Sequence, residues 1–206
     1  MRLDEEIHDR SDRRRLSPQY VKEGEQALRP RFIEKFAHAC ISVDEECLRI
    51  LYYDCAPFLG SARNPISGTT RDFAGSDRWL HEIAARDLFA VRRGVLKFRG
   101  FERNPKVAPG SELTDSDFIP QFEQKGVDMR IGLDIAAYSA ERLAHRIILV
   151  TNDTDCVPAM KFARKAGLQT VLIQVPNCKP APELVAHADF KRSIEWPELA
   201  SAARPC

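Results

Sequence analysis

Aspartates in the second half of the chain have the residue type and the spacing to bind a metal ion. Asp153 and Asp155 lie in a polar turn that directly follows the apolar run at residues 147–150, and Asp128 lies upstream. Residues two apart in an extended turn point the same way, so the carboxylates of Asp153 and Asp155 can face one cavity. Mg²⁺ prefers oxygen ligands, and metal-dependent phosphodiester cleavage uses converging carboxylates. The pattern therefore predicts a metal-binding nuclease centre of Asp128, Asp153 and Asp155.

The same aspartates also suit the first turns of helices, which is a purely structural role. Asp153 or Asp155 could cap a helix that begins near Val157, and Asp128 could cap one that begins at Met129. Capping does not require Asp153 and Asp155 together, however. Neighbouring carboxylates at one strand end repel each other unless a cation compensates, and this favours the metal site.

Asp134 is a candidate of a different kind. It follows Asp128 by six residues, which places it about 120° around a helix from Asp128. We interpret it either as a support for the site or as a surface residue.

Hydrophobic patterning from residue 49 onward alternates between strands and helices. Strands are predicted at residues 49–54, 146–151 and 169–175, and residues 90–98 are predicted as one strand or as a hairpin around Gly94. Helices are predicted at residues 77–89, 129–144 and 157–166, and loops at residues 58–76 and 102–124. Such alternation is the sequence form of right-handed βαβ units, so we predict a three-layer α/β fold with a mostly parallel central sheet.

The composition indicates a globular chain with a charged amino-terminal extension. Of 206 residues, 44% are hydrophobic, which is enough for one compact domain. The formal charge of +1 gives no global attraction to nucleic acid. Residues 1–29 are predicted as a charged arm, helical or partly disordered, residues 30–195 as the domain, and residues 196–206 as a tail.

The cysteines and the hydropathy of the chain indicate where in the cell the protein is located. The six cysteines are scattered without metal-ligand spacing, which indicates reduced thiols. No apolar stretch approaches the roughly 18 residues of a membrane span. We therefore predict a cytoplasmic protein with no membrane partner, and a homo-oligomer is kept open as its assembly state.

Basic and aromatic residues concentrate in one stretch that suits single-stranded nucleic acid. Its cations include Arg92, Arg93, Lys97 and Arg99, and phenylalanines lie among them. In such surfaces cations follow phosphates and rings stack on bases, so this stretch is predicted to bind single-stranded RNA. The alternative is a strand with solvated basic side chains and phenylalanines that belong to the core.

These segments resemble the NYN (LabA-like) branch of the PIN-like nuclease superfamily. The matching positions are residues 52–54 before Pro57, residues 125–128 with Asp134, and residues 147–155. The resemblance covers roughly residues 30–195 and is specific in its second half. It implies a PIN-like (Rossmannoid) three-layer α/β fold and divalent-metal-dependent cleavage of RNA.

The resemblance also implies the site residues and the cofactor. Asp128, Asp153 and Asp155 match the acidic motif positions, which implies that they bind Mg²⁺ or Mn²⁺. Asp134 matches a fourth catalytic position.

The chain departs from the family at one element. Family members begin with a hydrophobic strand that lies centrally in the sheet and ends in a metal-binding aspartate, and this sequence has no such segment. Either the sequence starts downstream of that strand, or the chain is a catalytically degenerate relative that acts as an RNA-binding or regulatory module. A phosphatase that uses the same metal chemistry is a third interpretation.

Overall fold

The computed structural model describes residues 30–108 and 110–197, so the arm predicted for residues 1–29 and most of the tail predicted for residues 196–206 lie outside the described residues. The helices are α1 (Pro30–Ala39), α2 (Arg78–Ala84), α3 (Val127–Ala140), α4 (Val157–Lys165) and α5 (Pro182–His187). The strands are β1 (Ile50–Cys55), β2 (Gly60–Arg63), β3 (Thr70–Phe73), β4 (Phe89–Arg103), β5 (Phe118–Lys125), β6 (Arg146–Leu149), β7 (Gln169–Gln174) and β8 (Phe190–Ser193). None of the helices in the described ranges combines the length and the apolar character needed to cross a membrane.

Parallel strand pairing is present in both of the larger sheets. In the first sheet, β4 lies between β1, which is parallel to it, and β5, which is antiparallel. In the second sheet, β6, β7 and β8 are parallel and adjacent in that order, with α4 and α5 in the connections. The strands β2 and β3 form a separate hairpin. The α/β class is therefore confirmed, but the described strands divide between several sheets where the sequence predicted one central sheet.

Helices cover both faces of the two larger sheets, which gives three layers. One core joins α1 and α2 to the strands through buried side chains such as Phe36, Leu80 and Tyr52. The opposite core joins α3, α4 and α5 to the strands through side chains such as Met160 and Tyr53. Successive residues of β1 thus point to opposite cores, as alternation along a strand requires. Burial on both faces explains why β1 and β7 contain uninterrupted apolar runs, residues 50–53 and 171–173.

A cavity of about 680 Å³ lies between β1 and β6. Leu51 and Tyr53 of β1 line one side, Ile147 and Leu149 of β6 line the other, and Ile135 of α3 lines one face. The strands β1 and β6 are not paired with each other, so the cavity separates the two larger sheets at this point.

The β2–β3 hairpin replaces the loop predicted for residues 58–76. Its strands are mostly exposed and have no periodic apolar pattern, so the sequence gives no strand signal there. The hairpin is held by Phe73, whose ring centroid lies 5.4 Å from that of Phe98 and 5.5 Å from that of Phe122. Packing on β4 and β5, and not local propensity, determines this element.

The strand β5 replaces residues 118–124 of the loop predicted for residues 102–124. Pro120 favoured a loop because proline lacks the N–H that a strand ladder uses. In the structure Pro120 pairs with Phe101 on an edge strand, where a missing donor is tolerated. The strand β4 runs without interruption through Gly94, so the hairpin alternative is wrong there. The helix α2 is shorter than predicted, because β4 already begins at Phe89.

Glu45 joins the segment between α1 and β1 to the second sheet. Its carboxylate accepts hydrogen bonds from Arg192 of β8 at 2.9 Å and from Arg146 of β6. The N–H of Ser42 donates to it at 2.7 Å. Only 11% of the Glu45 side chain is exposed. These donors, Arg192 above all, lower the pKa of Glu45 from its ordinary 4.5 to about 2.

Replacing Glu45 with Gln is expected to reduce the acid sensitivity of the fold. A carboxylate whose pKa is lowered by folding stabilises the protein above its unfolded pKa, and this stability is lost as the pH falls from 4.5 towards about 2. The shift corresponds to on the order of 3 kcal/mol at neutral pH. Urea unfolding at neutral pH and near pH 3 should show a larger loss in the wild type than in Glu45→Gln. Glu46→Gln changes an exposed neighbour and should behave as the wild type, whereas equal losses in all three proteins would contradict this role of Glu45.

Candidate metal centre

The acidic turn after β6 is fixed by its own hydrogen bonds. The hydroxyl of Thr151, a buried residue, accepts the N–H of Asp153 at 3.1 Å, and the Asp153 carboxylate accepts the N–H of Asp155 at 2.9 Å. A short 3-10 helix over Thr154–Cys156 then leads into α4. Asp153 therefore does cap a helical turn, as the structural interpretation expects. The cap also fixes the position of its carboxylate relative to Asp155.

Asp128 reaches the same place from a different element. Gly126 follows β5 with a φ of 75°, a left-handed conformation that favours glycine, and α3 begins at Val127. Val127 is 1% exposed, so it fixes the first turn of α3 in the core. Asp128 follows directly and is half-buried in that first turn, where the helix dipole favours a negative charge.

The structure brings the three predicted carboxylates together. One oxygen of each of Asp128, Asp153 and Asp155 lies within 4.8 Å of the other two. Asp128 and Asp153 are half-buried and Asp155 is exposed, so the cluster is accessible from solvent. Negatively charged carboxylates at this separation repel one another, and a bound cation would compensate their charge. The arrangement is therefore a candidate cation site.

The donor set fits one small, hard cation. Mg²⁺ binds oxygen at roughly 2.0–2.1 Å, so ligand oxygens on opposite sides of the ion lie about 4.2 Å apart, and Ca²⁺ extends this to about 5 Å. Three oxygens within 4.8 Å of one another can therefore reach a common ion after small side-chain movements. All three donors are carboxylates, which suits Mg²⁺, Mn²⁺ or Ca²⁺ better than a soft metal.

Asp134, the predicted fourth member, does not belong to the cluster that the described residues form. Its Oδ2 accepts hydrogen bonds from the Tyr53 hydroxyl and from Arg92 Nε, both at 2.9 Å. Burial, together with the charge of Asp134, raises the pKa of Tyr53 above its ordinary value, so the phenol stays a donor. These contacts join α3 to β1 and β4. Asp134 thus positions the helix that carries Asp128.

Replacing Asp134 with Asn is expected to affect stability more than metal binding. The amide keeps the shape of the side chain but removes the charge that pairs with Arg92, which costs about 1 to 3 kcal/mol. The affinity for Mn²⁺ is expected to stay within a few fold of the wild type, because Asp134 is not a ligand of the cluster. Urea unfolding measures the first quantity, and a thermal-shift titration with Mn²⁺ measures the second. A loss of Mn²⁺ binding as large as that of Asp153→Asn would return Asp134 to the ligand set.

Most of the cations predicted to bind RNA pair with carboxylates of the protein itself. The pairs are Arg92 with Asp134, Arg93 with Asp77, and Arg99 with Glu123. Lys97 is exposed and forms no ion pair with another residue of the described ranges. Lys97 is therefore the predicted cation with the least competition for a phosphate.

The phenylalanines of this region pack against one another. The ring of Phe98 contacts those of Phe58, Phe73, Phe101 and Phe122, with centroids 5.2 to 5.9 Å apart. Such contacts favour packing of the β2–β3 hairpin on the β4–β5 ribbon. Phe122 keeps 38% of its surface exposed. The structure thus favours the alternative in which these rings form a local core.

Asn152 and Tyr53 support the site, and the sequence did not identify either in that role. The amide oxygen of Asn152 accepts the N–H of Ala181 at 2.8 Å, and its nitrogen donates to Cys178 Sγ at 3.7 Å. Asn152 thereby fastens the loop before α5 to the acidic turn. Tyr53 fixes Asp134. The partners of Asn152 and Tyr53 are up to 29 and 81 residues away in the sequence, so no local pattern reveals these contacts.

Comparisons with known proteins assign no family to this chain. No protein-family model matches it, and no curated protein matches it. Among solved structures, a protein of unknown function from Vibrio parahaemolyticus is similar, with 19% identity, a TM-score of 0.40, and coverage of 71% of this chain and 68% of that chain. This similarity assigns neither a family nor an activity.

Proposed function

We propose that this protein is a divalent-metal-dependent ribonuclease with a PIN-like fold of the NYN type. The observation that carries the proposal is the cluster of Asp128, Asp153 and Asp155, whose ligand oxygens lie within 4.8 Å of one another. These are the positions that the family resemblance implies as acidic ligands. They come from two separate segments, the start of α3 and the turn after β6, and helix capping alone would not require these segments to meet.

Two of the three carboxylates have their own means of orientation in this proposal. Asp153 is fixed by the turn that Thr151 and the N–H of Asp155 form, and Asp128 is fixed by the start of α3. Together with Asp155 they would hold Mg²⁺ or Mn²⁺ through oxygen donors. A cation held there would supply Lewis-acid charge stabilisation for hydrolysis of a phosphodiester.

The cavity between β1 and β6 supports a PIN-like arrangement. The resemblance implies a central first strand, which has no counterpart in this sequence. The cavity lies between β1 and β6, two strands that are not paired with each other, which is where a further strand could be accommodated. Residues of α1 and of α3 line it, so helices of both layers border the position that a central strand would take.

Single-stranded RNA is the proposed substrate. The family resemblance supports it, and the exposure of Asp155 leaves the cluster accessible to a polymer. The exposed Lys97 on β4 adds a cation for a phosphate backbone. A small-molecule phosphatase would more often enclose its substrate in a pocket, which the accessible cluster does not do.

Cleavage of labelled single-stranded RNA tests the proposal. The full chain is incubated with the RNA in the presence of Mn²⁺, Mg²⁺ or EDTA. We expect cleavage with a metal and none with EDTA. Single-stranded DNA of the same sequence and p-nitrophenyl phosphate are tested in parallel, since a phosphatase would hydrolyse the phosphate ester and leave the RNA intact.

Binding without cleavage would identify the alternative function. If folded protein binds RNA in a salt-dependent manner but does not cleave it in the presence of any of the metals tested, the nuclease proposal is wrong. The chain would then act as a non-catalytic RNA-binding or regulatory module, which is the alternative that the missing first strand motivates.

A further inference from the structure

The solvent-facing side of α3 is apolar, which sets it apart from an ordinary surface helix. Met129 and Leu133 are 72% and 63% exposed, and Ala137 and Ala140 continue the same exposed side. The opposite side of α3 is buried in the core. A surface helix normally carries charged or polar residues on its exposed side, whereas four of the five exposed residues of α3 are apolar. The exposed side of α3 therefore has the character of an interaction surface.

Other helices of the protein carry charge on their exposed sides. The exposed residues of α1 include Arg31 and His38, and those of α4 include Lys161 and Arg164. The exposed residues of α3 include one charged side chain, Arg130. The low number of exposed charged residues is thus a property of α3 and not of the other helices.

The exposed side of α3 is complementary to itself when two helices run antiparallel. Its first half carries the large side chains Met129 and Leu133, and its second half carries the small Ala137 and Ala140. In an antiparallel pair, the large side chains of each helix lie against the small ones of the other. This is how the ridges of one helix fit the grooves of a second one, at interaxial distances of about 8 to 10 Å.

The charges at the two ends of α3 also favour pairing with a second, antiparallel α3. Arg130 lies near the amino-terminal end and Glu141 directly follows the carboxyl-terminal end, so each has the wrong sign for the dipole of its own helix. In an antiparallel pair, Arg130 of one copy lies beside Glu141 of the other, twice by symmetry. Both side chains are exposed, and Glu141 forms no ion pair with another residue in the part of the chain that the structure describes.

We propose that a second copy of this chain covers the exposed side of α3, in a two-fold dimer whose α3 helices are antiparallel. Leu133 of each protomer packs against Ala137 of its partner, and Arg130 pairs with Glu141 of its partner. A single helix pair buries less than the roughly 800 Å² per subunit of a standard interface. The dimer is therefore reversible and depends on protein concentration.

Sedimentation velocity of the full chain over a wide concentration range tests the proposal. The wild type should shift from monomer to dimer as its concentration rises. Leu133→Glu should weaken the dimer at least about tenfold, because it buries a charge in the centre of the contact. Phe162→Glu is the matched control: Phe162 is 45% exposed on α4, so this variant adds the same charge at an exposed apolar position outside the proposed surface and should dimerise as the wild type does.

A charge exchange tests the antiparallel orientation. Arg130→Glu and Glu141→Arg should each weaken the dimer several-fold by placing like charges together, and the double variant should restore it. Circular dichroism is used to check that each variant stays folded. A wild type that stays monomeric at every concentration would overturn the proposal. It would also be overturned if Phe162→Glu abolished the dimer in place of Leu133→Glu, or if the double variant did not recover.

Discussion

Replacing Asp153 with Asn is expected to lower the rate of Mn²⁺-dependent RNA cleavage on the order of 100-fold or more. The amide keeps the size of the side chain and can still accept the N–H of Asp155, so the turn should keep its conformation. It removes one of three negative charges that the cluster offers to the cation. The loss should therefore come from metal binding and not from unfolding. Initial rates with labelled RNA over a range of Mn²⁺ concentrations measure it.

A control variant and a second measurement show whether the lower cleavage rate of Asp153→Asn comes from weaker metal binding. Asp87→Asn removes an exposed carboxylate that is not part of the cluster, and it should cleave RNA at the wild-type rate. Binding of Mn²⁺ to the folded state raises the melting temperature of the wild type, and this rise should be much smaller in Asp153→Asn. If Asp153→Asn and the wild type cleave RNA equally fast, the acidic cluster has no part in the reaction.

The three carboxylates that meet could be predicted from sequence because each has a local signal. The run at residues 147–150 is apolar without interruption, which marks a buried strand, and the polar turn that follows it must lie at a sheet edge. Asp128 follows Gly126, which the chain needs for a left-handed turn before α3. Both signals depend on residues within a few positions of the aspartates themselves. The helices and strands that contain or precede these residues are accordingly the ones that the sequence predicts well.

The predictions that failed depend on contacts between distant segments. The strands β2 and β3 have exposed, polar sequences, and they form because Phe73 packs on rings from β4 and β5. The strand β5 contains Pro120, which only an edge position tolerates, and the sequence does not reveal which strand lies at an edge. The family resemblance implied Asp134 as a fourth catalytic position and its spacing left a supporting role open, but its partners Tyr53 and Arg92 are 81 and 42 residues away. Local sequence patterns do not reveal contacts between residues that lie so far apart in the chain.

Gly94 connects the fold to the candidate metal centre. It lies in β4 opposite Cys55, where α3 begins. A Cβ atom at this position would lie 2.5 Å from Val127 Cγ2, 2.8 Å from Cys55 Sγ and 3.0 Å from the carbonyl oxygen of Lys125. Contacts this short force the neighbouring atoms to move. Because Val127 directly precedes Asp128, the start of α3 can approach β4 only when residue 94 has no side chain.

Gly94→Ala is therefore expected to damage both stability and metal binding. Overpacking at a core contact costs about 1 to 3 kcal/mol of the free energy of unfolding. The first turn of α3 must move away from β4, and this displaces Asp128 from Asp153 and Asp155. A displacement of about 1 Å is enough to lower metal affinity on the order of tenfold, as when the support of a ligand is lost. Urea unfolding and Mn²⁺ titration of the same variant measure the two effects.

Two further variants show whether the contact with Val127 causes the losses of stability and Mn²⁺ affinity in Gly94→Ala. Gly132→Ala adds the same methyl group in the middle of α3, where no atom lies within 4 Å of the added Cβ, so it should stabilise the helix by about 0.5 to 1 kcal/mol. Val127→Ala removes the Cγ2 atom that the new methyl group meets. Combined with Gly94→Ala, it should therefore cost less than the sum of the two single variants, and should recover part of the Mn²⁺ affinity. Strictly additive losses would show that Gly94 acts through Cys55 or the backbone, and not through the segment that positions Asp128.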